Sequence, residues 1–288
     1  MNKADQIQAL DSHFAKLRPS QLDIASPDGQ RVQGRFIYSK RPSGLYEQLD
    51  SATERIPSIQ EIIRLRLWGV DSLLKEIVEL KTAIEKLCKG EEVGEEIRQV
   101  RMRIGETLND IWKVRLTTST HMVRSNDEQG NDTVFFYSGT PFESTDSVST
   151  AMEGHLSDGG IKYDEQSLAV IQRDTPQASR LPFTDYLAAR GGNFSGADFL
   201  NHPIFLNAVG DRQLMEDYVW GLQVLNLAGF YNSGLHSGWR PGEMQSGFGR
   251  PIALGYKGEA FYPPNNSTVD HCALVIPRET EIRKIAES

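Results

Sequence analysis

Asp270, His271 and Cys272 stand side by side, and an acid, an imidazole and a thiol in one run are the materials of a cysteine nucleophile. An imidazole next to a thiol lowers its pKa and raises the thiolate fraction. The run opens an apolar stretch, Ala273-Leu274-Val275-Ile276, that reads as a buried strand. Alternation along a strand sends His271 to the face opposite Asp270 and Cys272. Adjacent residues therefore cannot form the hydrogen-bonded pair that catalysis needs. Cys272 would take its base from elsewhere, with His236 or His202 as candidates, and a buried structural cysteine is the plainer account of the same residue.

A second constellation lies upstream. Phe230, Tyr231, Trp239, Phe248, Tyr256, Phe261 and Tyr262 gather in a Gly-rich stretch with His236, Arg240 and Arg250. Flat rings and guanidinium groups on pliable backbone suit a pocket for a planar anionic ligand. The same aromatics could instead complete a core while the glycines turn corners. Other chemistries lack their residues. There is no G-x-x-x-x-G-K-[ST], no third glycine at dinucleotide spacing after Gly247-Phe248-Gly249, no H-E-x-x-H and no G-x-S-x-G. None of the six histidines has an acid two places later, which disfavours a two-histidine, one-carboxylate iron site.

The run from Ala273 to Ile282, in which an apolar strand meets Pro277-Arg278-Glu279-Thr280 and a further strand, resembles the strand-turn-strand that ends many ADP-ribosyltransferase domains. Tyr137-Ser138-Gly139-Thr140, after a strand at 133–137, is similar to the first NAD-contacting strand of that superfamily. The resemblance implies NAD as cofactor, held by Tyr137, Ser138, Gly139 and Thr140. Gly139 would allow close backbone approach, and Tyr137 or Tyr231 would stack on a ring. It also implies that Asp270 stabilises the positive charge developing on the ribose as nicotinamide leaves. The activity implied is ADP-ribosyl transfer to a macromolecular target, as by a bacterial effector.

These residues need a frame, and the clearest structural signal is the stretch from Ser58 to about Arg115. Ser58 and Glu61 form a capping-box pattern after Pro57. Ile63, Val70, Ile77 and Ile84 then recur every seven residues, with Leu73, Leu80 and Leu87 at the complementary position. Lys89-Gly90 interrupts, and a second helical run continues from Val93 to Val114. The short connection predicts an antiparallel helical hairpin over 58–115, which either covers the rest of the chain or serves as a docking arm.

Before it, Ile7, Leu10, Phe14 and Leu17 predict a helix that stops at Pro19, and Ser26-Pro27-Asp28-Gly29 a turn before a strand through Val32, Phe36 and Tyr38. After it, polarity rises from Thr117 to a loop at 126–130, followed by the strand at 133–137. A short helix at Ala197–Leu200 is expected to end at Pro203, and a longer one to run from Asp211 through Leu225.

The whole reads as α+β: a helical module over 1–117, then a mixed, mostly antiparallel β domain with two helices over 118–288, which would be the catalytic or recognition part. The chain has 288 residues and a formal charge of −8, which argues against a general nucleic-acid binder. Two distant cysteines give neither a disulfide framework nor a metal pair and favour a reducing compartment. No apolar run reaches the roughly 18 residues that span a bilayer. The expected place of action is the cytoplasm, or a host cytosol reached without a cleavable signal peptide. Beside the transferase stand two alternatives: a non-catalytic module whose hairpin binds a protein partner, and a cysteine-dependent hydrolase or transferase.

Overall fold

The computed structural model describes residues 19–26, 28–39, 43–107, 110–112, 114, 116–138, 161–189, 193–194, 200–227, 235–236, 246–254 and 271–283. The expected helix at 7–17 and most of the aromatic, Gly-rich stretch lie outside them. The chain begins with β1 (Gln21–Ala25) and β2 (Arg31–Ser39), then a single helical turn α1 (Ser43–Tyr46) and β3 (Glu54–Arg55). Two helices follow, α2 (Ile59–Cys88) and α3 (Gly94–Thr107). Next come β4 (Leu116–Asn126), β5 (Asp132–Ser138), β6 (Ile161–Lys162), α4 (Glu165–Asp174), β7 (Arg180–Pro182), α5 (Phe183–Ala189) and β8 (Asn193–Phe194). The described chain closes with α6 (Pro203–Val209), α7 (Arg212–Leu227), β9 (Leu235–His236), β10 (Phe248–Leu254) and β11 (His271–Pro277).

The fold is mixed α+β, and the recorded strand pairings are antiparallel. One sheet has the order β1-β2-β11-β3, a second β6-β10-β4-β5-β7, and β8 pairs with β9. The last described strand thus sits inside the sheet that the first two strands begin. At Gly34 this packing is tight, because a Cβ there would stand 2.5 Å from the carbonyl oxygen of Val275.

Side chains on the two faces of the sheets feed two cores. Phe36, Met122, Val134, Phe136, Ile252, Cys272, Leu274 and Ile276 join α2, α6 and α7 in the larger one. Ile37, Val123, Phe135, Ala273 and Val275 belong to the smaller one, with Leu45, Tyr46, Tyr163 and Ile171 from the connecting segments. This is the period of two expected of strands buried on both faces.

Helix α2 starts where the sequence predicts. Ser58 accepts from the Glu61 N–H, and the Glu61 carboxylate accepts from the Ser58 N–H at 2.8 Å. Arg55 also grips Glu61, at 2.6 Å. Burial alone would raise the Glu61 pKa, but the Arg55 pair and the Ser58 donors outweigh it and hold the carboxyl below its ordinary value. The first turns of α2 are sunk in the core through Ile59, Ile62, Ile63, Leu65, Trp68 and Val70. Its far part packs on α3 through Leu80, Val100 and Ile104, flanked by ion pairs of Arg103 with Glu76 and Glu79 and of Lys86 with Glu96. Leu87, placed on the seam by its spacing, is 49 % exposed, because it lies at the last turn of the helix.

Three further differences from the sequence expectations have physical causes. Residues 117–125, which look too polar for a core, form a long buried strand. Thr118 donates to the Ile252 carbonyl at 2.8 Å, and Thr120 accepts from the Ile59 N–H at 3.0 Å, so the hydroxyls are satisfied inside. Residues 200–201 are helical and break at His202, as expected, but Pro203 also opens the next helix, α6, sitting at the first helical position where a missing N–H costs nothing. After β11 the chain turns at 278–279, and the described residues that follow, 280–283, form no second strand.

Candidate functional site

The described polar groups best equipped for chemistry lie in the cores. In the smaller core His121, on β4, is fully buried, and its two ring nitrogens are flanked by two phenols. The Tyr46 hydroxyl stands 2.6 Å from Nε2, and the Tyr163 hydroxyl hydrogen-bonds Nδ1. Each partner arrives for a local reason. Tyr46 ends α1, while Tyr163 precedes the Asp164 cap of α4 and is tied by its N–H to the Gly247 carbonyl at 2.9 Å. Gly249 makes room for the Tyr163 ring, since a Cβ there would meet Tyr163 Cε2 at 2.8 Å and the Met122 carbonyl oxygen at 2.8 Å. Tyr137, opposite His121 in the β4–β5 register, packs against the same cluster.

Burial sets the electrostatics of this group. Desolvation pushes His121 down to about 3 and raises both Tyr46 and Tyr163 above the ordinary phenol range. At neutral pH the trio is uncharged: one hydroxyl accepts from the imidazole N–H and the other donates to the bare nitrogen. Such a set can relay hydrogen-bond polarity, but no solvent reaches it. It therefore lacks the access and the near-neutral pKa that general acid–base catalysis requires.

The larger core holds a second polar node. Arg66 is 0 % exposed, and among the described residues no carboxylate pairs with it. Its guanidinium donates to the Tyr218 hydroxyl at 2.7 Å and to the carbonyls of Ile111, Val114 and Leu254, each at 3.3 Å. It also lies 5.0 Å from the centre of the Trp112 ring, which stacks on Tyr218 and donates to the Arg66 carbonyl at 2.8 Å. The arrangement knits α2, β10, α7 and residues 110–114 together.

The residues singled out from sequence are dispersed. Cys272 is 5 % exposed and packs in the larger core, and His271 is buried beside it. His202 precedes α6, with Nε2 2.8 Å from the Ala189 carbonyl oxygen, and desolvation lowers its pKa against that contact. The backbone of His236 lies on β9, paired with Asn193. Tyr137 and Ser138 end β5, in a different sheet from β11. Asp270, Gly139, Thr140 and Tyr231 lie outside the described residues. His121, Tyr46, Tyr163 and Arg66 carry no motif; the available signals were a histidine within a Thr-rich run and the closely spaced Gly247 and Gly249.

On the surface, a cleft of about 660 Å³ crosses the four-stranded sheet, lined by Asp23, Gln33, Arg35, Glu54, Pro277 and Glu279 among others. Arg35 and Glu54 pair across it at 2.7 Å. Among the described residues no group of three or more His, Cys, Asp or Glu could hold a metal ion, and no helix is long and apolar enough to cross a membrane.

No family model matches the chain, and no curated protein does. A solved structure does, one described as "Accommodation of massive sequence variation in Nanoarchaeota by the C-type lectin fold". The likeness covers 86 % of this chain and 98 % of that one, with a TM-score of 0.54 and 12 % identity. At that identity it shows the fold: the chain is built like a C-type lectin. This overturns the resemblance to ADP-ribosyltransferases and the expectation of ADP-ribosyl transfer, with the transferase, NAD and effector roles that followed from it. The geometry shows why the resemblance misled. The described parts of the two runs that carried it, Tyr137–Ser138 and β11, sit in separate sheets, and among the described residues no second strand follows the closing turn.

Proposed function

We propose that the protein is a non-catalytic binding module, in which a C-type-lectin-like frame carries an antiparallel helical arm, α2 with α3, that docks a protein partner. The observation that carries the reading is the likeness of 86 % of the chain to a fold described, in its solved relative, as accommodating massive sequence variation. A frame that keeps its shape while its surface changes suits recognition, although fold alone never fixes function. The sealed state of the His121 cluster and the burial of Cys272 point the same way, since neither offers a reactive atom to a substrate. The arm offers something to a partner: Val78, Leu87 and Met102 are 62 %, 49 % and 49 % exposed among charged neighbours. A cytosolic site of action fits the sparse, distant cysteines.

The test is affinity capture with the full chain, comparing the wild type with Val78→Glu/Met102→Glu and with Arg35→Glu in the sheet cleft. Loss of the captured partner in the arm variant alone, at unchanged thermal stability, supports the reading. Retention by the arm variant removes the arm, and turnover of a small substrate by the purified protein removes the non-catalytic assignment.

A further inference from the structure

We infer that Tyr46, His121 and Tyr163 form an acid latch, which pins α1 and the 161–174 segment onto the sheets while the imidazole is neutral and lets them go when it takes up a proton. The argument is one of donors and acceptors. With a neutral ring, one phenol donates to the bare nitrogen and the other accepts from the N–H, so each ring nitrogen is satisfied. A protonated ring has two donors. Both phenol oxygens must then accept, so the hydroxyl that was donating has to turn its proton away from the ring, inside a core of Leu45, Ile56, Val123, Phe135 and Ile171.

Among the described residues no ion-pair partner of the ring offsets the new charge, since no carboxylate among them lies within ion-pair distance of His121. On the surrounding strands Arg35 is tied to Glu54, and Arg180 lies 5.4 Å from the centre of the Phe135 ring while donating to the Gln172 and Thr175 carbonyls. Asp164 is engaged with the Ser167 N–H as the cap of α4. Tyr137 adds a further phenol, and His271 shares its face of β11 with Ala273 and Val275, so the remaining titratable groups there can only add positive charge or none.

The ring that protonates is held by β4, in the middle of the five-stranded sheet, while both partners ride on short connecting segments. Opening at the partners is the route that hydrates the cation and leaves the sheet intact. A buried unpaired charge costs far more than the local contacts of one helical turn.

Hydrogen exchange of the full chain across pH 7 to 4, corrected for intrinsic rates, tests the latch. Peptides covering 43–50 and 161–174 should open about tenfold more per pH unit below about 6.5, the slope of one coupled proton, while the first half of α2 and α6 keep their protection. In His121→Gln that slope should vanish. Simultaneous loss of protection throughout, or an unchanged slope in His121→Gln, overturns the inference. Should the variant not fold, deuterium exchange at the imidazole carbon of wild-type His121 decides: titration well below 6.5 in the folded protein supports the latch, and an ordinary value overturns it.

Discussion

The two cores solve the same problem with different chemistry. In the larger, a guanidinium that never loses its proton is surrounded by three carbonyls and a phenol. In the smaller, an imidazole is held between two phenols and tolerates burial only while uncharged. Both nodes bind together segments distant in sequence, and among the described residues neither uses an ion pair. The difference is that one is indifferent to pH over the range where proteins function and the other is not. A polar group can therefore serve as a permanent rivet or a conditional one, depending on whether its charge can change.

The largest effect should come from the rivet. Arg66→Leu takes the guanidinium donor from three carbonyls and the Tyr218 hydroxyl in a buried core, and each buried polar group that loses its partner typically costs about 1–3 kcal/mol, so the losses accumulate here. Urea unfolding should show this loss equally at pH 7.5 and pH 5.5. A cost below about 1 kcal/mol would mean that water or a neighbouring donor replaces the guanidinium, and the contrast between the cores would narrow.

The conditional node predicts the next effect. Its folded pKa lies below the ordinary 6.5, so the unfolded chain binds the proton more readily. The stabilisation is then complete above pH 6.5 and drains away as pH falls toward 3, by about 1.4 kcal/mol per pH unit or roughly 2 kcal/mol by pH 5. Glu61, whose depressed pKa acts in the same direction, begins to contribute only as pH falls through its ordinary 4.5. His202, whose pKa burial also lowers, acts in that window too, so thermal denaturation of the wild type and His121→Gln in parallel between pH 6.5 and 5 is what separates the His121 share. A flat Tm across that window would break the contrast between the two nodes.

These two nodes also mark the limit of what the sequence discloses. The start of α2 was legible because a capping box is local: Ser58 and Glu61 need only each other. Strand β5 and the tight turn at Gly29 were legible for the same reason. Strand β4 was not, because Thr118, Thr120 and His121 look like loop residues until their partners, Ile252, Ile59 and Tyr46, arrive from elsewhere in the chain. The reactive trio at 270–272 drew attention for the opposite reason. Adjacency in sequence is easy to see, yet a strand turns adjacent residues to opposite faces. Conversely, Gly247 and Gly249, read at first as a failed nucleotide motif, provide a turn at positive φ and the space for a tyrosine ring.

That space can be filled. Gly249→Ala would place a methyl 2.8 Å from a backbone carbonyl oxygen and from Tyr163, neither of which is the loose end of a flexible chain. Overpacking of this kind costs about 1–3 kcal/mol. If Tyr163 is pushed away from His121, the variant should also lose part of the wild type's pH dependence between 6.5 and 5, because the ring gains a route to water. A destabilised protein with an unchanged pH profile would show that the glycine serves the sheet alone.

The smallest effects, and the sharpest comparison, belong to a matched pair. Tyr218→Phe removes an acceptor from a charged donor, and hydrogen bonds to charged groups contribute about 1.5–3 kcal/mol. Tyr46→Phe removes a partner from a neutral ring, where the contribution is about 0.5–1.5 kcal/mol. At pH 7.5 the first substitution should therefore be the more costly, measured by urea unfolding in parallel. At pH 5.5 the Tyr218→Phe cost should stay where it was, since Arg66 is charged at both values. The Tyr46→Phe cost should change with pH, because the phenol faces a ring that titrates in the unfolded chain and resists titration in the folded one. Equal and pH-independent costs would mean that the phenols act through their rings alone, and the division into a permanent and a conditional node would fail at the hydroxyls that define it.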